Sequence, residues 1–325
     1  MRIFLVGASG AVGSRLVAQL LGAGHEVTGT HASAAGGQRI RELGAIPVAL
    51  DLLDPCAVRT AVRDAAPDAI VHQATALANA TFGRSFDRTF AKTNALRTQG
   101  VDNLLAAARE AGVSRFVAQS NATYRYAREG GMVKNEDDPL DTIPVRDAVA
   151  SRAAMNHLDD SVVAAGGMAL RYGIFYGGAN DGLIGPVRKR QFPVIGRGGG
   201  YLSFVHLEDA AAAVVCALRY YRPGVFNIVD DEPGPMREWL PALADALGAK
   251  PPLHVPVWVA RLLAGESAVV MGTTHRGASN AKAKRELGWT PRYPTWRDGF
   301  VTAYASGTTV LGPSRSGAVK DRARA

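Results

Sequence analysis

Cysteine is nearly absent from this chain: two occur in 325 residues, Cys56 and Cys216, in unrelated contexts. That excludes a disulfide framework and a Cys-x-x-Cys metal motif, so no metal site is expected and a reducing cytoplasm is the expected compartment. Long apolar runs are lacking too. None reaches the ~20 residues that cross a bilayer, and no charged segment precedes the short apolar run at the amino terminus, so neither a membrane partner nor a secretion signal is expected. Aromatics make up only 7% of the residues. They are not interleaved with lysine and arginine as on a base-stacking surface, so no nucleic-acid partner is expected. The net charge of +8 taken alone favours anionic ligands. Part of it is local: from Ser306 the chain carries Arg315, Lys320, Arg322 and Arg324 against Asp321. That stretch, 306–325, reads as a disordered basic tail.

Glycine is plentiful, with 36 residues, and its most informative use comes first. The apolar run Arg2-Ile-Phe-Leu-Val6 is followed at once by Gly7-Ala-Ser9-Gly10-Ala11-Val12-Gly13. Leu16, Val17, Leu20 and Leu21 then recur at helical spacing. Strand, glycine turn and helix in that order present backbone N–H groups and a positive helix end to a phosphate. Gly7 suits a tight exit from the strand, Gly10 a close approach to a pyrophosphate, and Gly13 close packing of helix on sheet. A dinucleotide is therefore the expected ligand.

Strands and helices alternate as far as about residue 175. Strands are expected at 27–30, 46–50, 68–72, within 114–119 and within 168–174, with amphipathic stretches at 57–63, 93–111 and 148–165. Such alternation implies an α/β fold of Rossmann type, a doubly wound parallel sheet covered on both faces. Its ligand is expected at the carboxyl ends of the strands. Residues 1–176 read as the dinucleotide-binding domain, with segments near 203–230 returning to it. Residues 177–305 read as a smaller α/β substrate-binding region, and they include the basic cluster Arg188-Lys-Arg190.

These motifs resemble the extended short-chain dehydrogenase/reductases, the NAD-dependent epimerase/dehydratase family, over nearly the whole folded chain. Gly7, Gly10 and Gly13 have that family's spacing. Phe204-Val-His-Leu-Glu-Asp209, Phe226-Asn-Ile228, and Ser279 with Leu287-Gly-Trp289 resemble its later signatures. The resemblance implies that Asp51 and Leu52 contact adenine, and that Gln73, Ala74 and Thr75 lie along the ribose. It also implies a cofactor-side position for Asn94 at the start of the long helix. Relatives commonly dimerise through the two long helices, so a homodimer is a further expectation. The family's catalytic pair is a tyrosine and, four residues on, a lysine. By register this chain has Ala148 and Arg152 there. Ala148 has no proton to give. Arg152 keeps a charge for ribose hydroxyls but does not exchange protons at neutral pH. Ser120 keeps the third catalytic position. The sequence thus marks an atypical branch, with Tyr172 and Tyr124 as candidates for a replacement acid.

The second strand ends Thr30-His31-Ala32-Ser33, without the carboxylate that usually holds the 2′-hydroxyl of NAD. Its absence favours NADP, with NAD as the alternative, and Ser14, Arg15, Arg39 and Arg41 are possible donors to a 2′-phosphate. Leu202-Ser203 stands where relatives that act on nucleotide sugars carry an arginine-aspartate pair. The substrate is therefore expected to be a less charged small metabolite. Three activities remain open on the sequence: an oxidoreductase acting on a carbonyl or hydroxyl with a non-standard proton donor, a non-redox epimerase, dehydratase or lyase, and an inactive NADP-binding sensor or partner protein.

Overall fold

The computed structural model describes residues 1–77, 86–143, 145–178, 182–220 and 222–304, so the basic tail lies outside the described residues. Seven parallel strands form its centre: β1 (Arg2–Val6), β2 (Glu26–His31), β3 (Ile46–Ala49), β4 (Ala69–His72), β5 (Arg115–Asn121), β6 (Met168–Tyr172) and β7 (Gly224–Ile228). Their order across the sheet is β7-β6-β5-β4-β1-β2-β3. β1 and β4 are apolar almost throughout because both of their faces are covered. Alternate residues feed two cores. Ile3, Leu5, Val71 and Leu170 pack with α1 (Ala11–Gly22) and the later helix Leu207–Arg219. Phe4, Val6, Ile70 and Ala118 pack on the opposite face. There they meet α3 (Pro55–Ala65), α5 (Val101–Glu110) and α6 (Val149–Ala164).

Local chemistry sets the element ends. α2 (Ala34–Glu42) is capped by Ser33, whose hydroxyl accepts from the Gly36 amide at 3.2 Å. α3 begins with Pro55, and Asp54 accepts from the Cys56 and Ala57 amides. α4 (Phe86–Ala95) runs into α5 through a π-helical turn, Leu96–Gly100. This rod begins before the residue 93 read from the sequence. β5 continues to Asn121, so Ser120 is a ladder residue, opposite Arg171.

β6 falls inside the expected 168–174 and stops before Gly173, where a Cβ would sit 2.6 Å from the Ser203 carbonyl oxygen. The chain then bends, and Ile174–Tyr176 pairs with Phe204–His206 apart from the main sheet. α7 (Ile184–Arg188) and α8 (Leu207–Arg219) follow, α8 lies on α1, and β7 returns to the sheet edge. A third core then forms around Phe204, Trp239, Trp296 and Phe300. It joins α9 (Met236–Ala246) to α12 (Trp296–Tyr304). Burial of each such ring contributes roughly 1.5–3 kcal/mol. Between them lie α10 (Val257–Thr273), kinked at Gly265 with φ +87°, and α11 (Ala281–Leu287).

Candidate active site

The strand order reverses between β1 and β4, and Val6 pairs with His72 at that point. A crevice at the carboxyl ends of the strands is the usual ligand position in such sheets. The glycine loop sits there. Gly7 has φ +84°, and a Cβ on it would come within 2.8 Å of the Ala74 backbone. A Cβ on Gly13 would meet the Gly7 carbonyl oxygen at 2.1 Å, so α1 lies directly on the loop. Gly10 and Ala11 are exposed, and no side chain caps the first-turn amides of α1. Ser9 is half-buried, whereas Val12 is a core residue. Thr30 is buried, and its hydroxyl accepts from the Gly7 amide at 3.2 Å, so it fixes the loop from below.

Near the ends of β4 and β5, the buried Ser120 hydroxyl and Oδ1 of Asn94 have no hydrogen-bond partner among the described residues, and the buried Gln73 amide has only the Tyr172 phenol near it. Ala74 and Thr75 continue from Gln73 at partial exposure. Open helix amides, a loop with no room for a Cβ at Gly7 or Gly13, and unmatched polar atoms fit a dinucleotide along the β1–β4–β5 ends. Asn94 donates to the Ser151 hydroxyl at 3.0 Å, which ties α4 to α6. Asp51 is exposed, and its carboxylate accepts from the Leu53 amide at 3.0 Å. The Leu52 side chain is buried in the core beside α3 and α5, so only its backbone is available to a ligand. Arg15 pairs with Glu208 at 2.9 Å and donates to the Gly177 carbonyl at 3.2 Å, which ties α1 to α8 and the Gly177 turn. Arg39 donates to the Ser9 carbonyl at 3.3 Å, which brings its guanidinium from α2 onto the glycine loop.

At the other end of the crevice, Ala148 is buried at the start of α6. The Asp87 carboxylate accepts from the Ala150 and Ser151 amides at 2.9 and 2.8 Å, so the amino terminus of α6 already holds an anion. Arg152 donates to the Ile143 carbonyl at 3.1 Å and lies 4.0 Å from Asp141. The two tyrosine candidates are taken up elsewhere. Tyr172 is 1% exposed and donates to the Ala210 carbonyl of α8 at 3.3 Å; burial raises its pKa. Tyr124 has φ +58° and donates to the Ser267 carbonyl at 2.9 Å; burial and the nearby Asp147 raise its pKa too. Neither phenol is poised to give up a proton. His275 accepts from the Tyr124 amide through Nε2 at 2.8 Å, and its Nδ1 meets the Tyr201 carbonyl at 2.6 Å. Those two contacts require the neutral ring with hydrogen on Nδ1, and burial holds its pKa at about 4.

A buried charge network lies beneath this end, and no pattern in the sequence announces it. Asp159 of α6 receives Arg125 at 2.5 Å and Arg171 at 2.7 Å. Arg125 also bonds Asn156, and Arg171 donates to the Tyr126 hydroxyl at 3.3 Å. Tyr126 in turn donates to Asn227 at 2.6 Å. Arg97, on the π-helical turn, is buried nearby, and burial together with the Arg125 charge lowers its pKa to about 10.

Comparison with known proteins agrees with this arrangement. The model of the NAD dependent epimerase/dehydratase family matches residues 3–229. A 3-diazoavenalumate denitrifying reductase from Streptomyces sp is 38% identical over 308 residues, 92% of this chain and 99% of that protein. The UDP-glucose 4-epimerase of Thermus thermophilus, solved with NAD, is 26% identical with a TM-score of 0.70, over 94% of this chain and 98% of that one. The Thermotoga maritima UDP-glucose 4-epimerase shares the fold at 18% identity, with a TM-score of 0.74 over 94% and 97% of the two chains. The chain therefore belongs to the NAD-dependent epimerase/dehydratase family and is an NAD-dependent enzyme of the extended short-chain dehydrogenase/reductase, oxidoreductase type.

Proposed function

We propose that this enzyme uses NADPH to replace a diazo group by hydrogen on an arene that also bears a carboxylate, with release of dinitrogen. The observation that carries the reading is Ala148 in the tyrosine position, with Tyr124, Tyr172 and His275 committed to backbone partners. A carbonyl that accepts hydride becomes an alkoxide and needs a proton or an oxyanion donor as it forms. An arenediazonium is already a cation. Hydride neutralises it, the C–N bond breaks, and arene plus N2 account for every atom without an external proton. When bound, the reduced nicotinamide supplies that hydride and is left oxidised. The 38% identical denitrifying reductase supports the same substrate class.

The residues then have simpler tasks than acid catalysis. The glycine loop and the first turn of α1 hold the pyrophosphate. Gln73, Ser120 and Arg152 supply polar groups to the nicotinamide half, and the buried wall around Ala148 keeps water from the reacting carbon. NADPH is the preferred form because Arg39 reaches the loop and Ser33 caps α2 at a strand end that has no carboxylate. With a carboxylated arenediazonium, one N2 should appear per NADPH oxidised, and deuterium from the transferable cofactor position should reach the arene. A cofactor oxidised faster by aldehydes or ketones, with no cofactor-dependent N2, would sink the proposal.

A further inference from the structure

We infer that the small cleft lined by Tyr124, Arg125, Arg128, Asp141, His275 and Arg276 is an anion subsite that receives the substrate's carboxylate. This rests on the proposed diazo-acid substrate and names how the acid end is held. Three arginines line one small cleft, although like charges at close range repel. Arg125 is answered by Asp159. Arg128 and Arg152 share Asp141, at 3.0 and 4.0 Å. Arg276 has no carboxylate partner among the described residues. Its two terminal nitrogens donate to the Thr274 and Arg128 carbonyls, and its Nε is buried without a partner. The Nε of Arg125 is likewise unmatched. His275 is neutral, with both nitrogens engaged, so it adds neither charge nor a free donor.

The cleft thus has excess positive charge and donors that lack acceptors. A planar carboxylate is the group whose two oxygens match guanidinium edges. The position is also suitable. Tyr124 continues from β5 four residues after Ser120, and Asp141 leads to Arg152 on the first turn of α6. The cleft is thus joined through its own chain segments to the end of β5 and the start of α6.

The test is calorimetry on the full chain saturated with NADP⁺, using 3-phenylpropenoate, 3-phenylpropenamide and phenyl phosphate. The acid should bind about tenfold or more tightly than the amide. Arg276→Gln and Arg128→Gln should erase that preference with the amide's affinity unchanged. In the unmodified protein the preference should shrink as salt rises, which keeps the test open if a variant fails to fold. Equal binding of acid and amide, a preference insensitive to both variants and salt, or tighter binding of phenyl phosphate overturns the assignment. None of these probes carries a diazo group, so an absence of N2 release in the earlier experiment is a separate failure.

Discussion

Arg171 and Tyr172 are neighbours in the chain and belong to opposite faces of the sheet. Successive strand residues alternate sides, so Arg171 reaches Asp159 on α6 while Tyr172 enters the core under α8. That alternation puts the Tyr172 phenol in the core, with the Ala210 carbonyl as its acceptor. Tyr172→Phe should leave kcat within about twofold and cost about 1 kcal/mol of stability, the net worth of one hydrogen bond. A hundredfold fall in kcat would return the phenol to the reaction. Arg39 makes a prediction of the opposite kind. Its guanidinium lies on the glycine loop, and the proposed preference for NADPH rests on it. Arg39→Gln should lower kcat/KM for NADPH by about tenfold to a hundredfold, as loss of a charge-assisted bond implies, and leave NADH unchanged. Equal losses with both cofactors would assign Arg39 to the fold of the loop alone.

At the scale of elements, the sequence was legible where one periodicity governed a whole segment. β1, the glycine turn and α1 announce themselves because the strand is apolar on both faces and the glycines admit no side chain. The strand β4 is legible for the same reason. Legibility failed where a distant contact decided the outcome. Residues 174–176 leave the main sheet at Gly173 to pair with Phe204–His206, and no local pattern records a neighbour thirty residues away. The π-helical turn moves residues 96–100 out of the register that α-helical spacing assumes. The Arg125–Asp159–Arg171 network joins a loop, a helix and a strand, so each residue alone reads as an ordinary surface charge. Its value to the elements can be measured. Asp159→Leu leaves two buried guanidiniums without a counter-ion, and loss of one partner of a buried pair costs roughly 3–5 kcal/mol. The urea midpoint should fall accordingly, and Asp159→Asn, which keeps an acceptor oxygen, should fall less. Stability unchanged in both variants would show that the network is solvated and carries no structural role.

Across the whole molecule, buried titrating groups pull stability in two directions as pH changes. Burial lowers His72, His206 and His275 from 6.5 to about 4. Between those values the unfolded chain binds the protons, so this contribution is complete above pH 6.5 and is lost as pH falls through 4. At about 1.4 kcal/mol per pKa unit, His72 and His275, the more deeply buried of the three, each put up to roughly 3 kcal/mol at stake. Asp230 opposes them. It is 1% exposed, and burial raises its pKa well above 3.8, although backbone groups of Phe204, Glu232 and Trp296 pull the other way. A raised carboxyl pKa means that the folded state takes up the proton first, so this group destabilises the protein at high pH and is relieved on acidification. Asp230→Asn separates the two effects. The variant should have a higher urea midpoint than the parent at about pH 8, and the difference should vanish toward pH 4, where the parent carboxyl is already neutral. Its midpoint should also fall more steeply with acid, because the histidine contribution is no longer offset. Curves that run parallel over the whole range, or a variant weaker at high pH, would mean that Asp230 finds compensating donors and remains ionised in the folded protein.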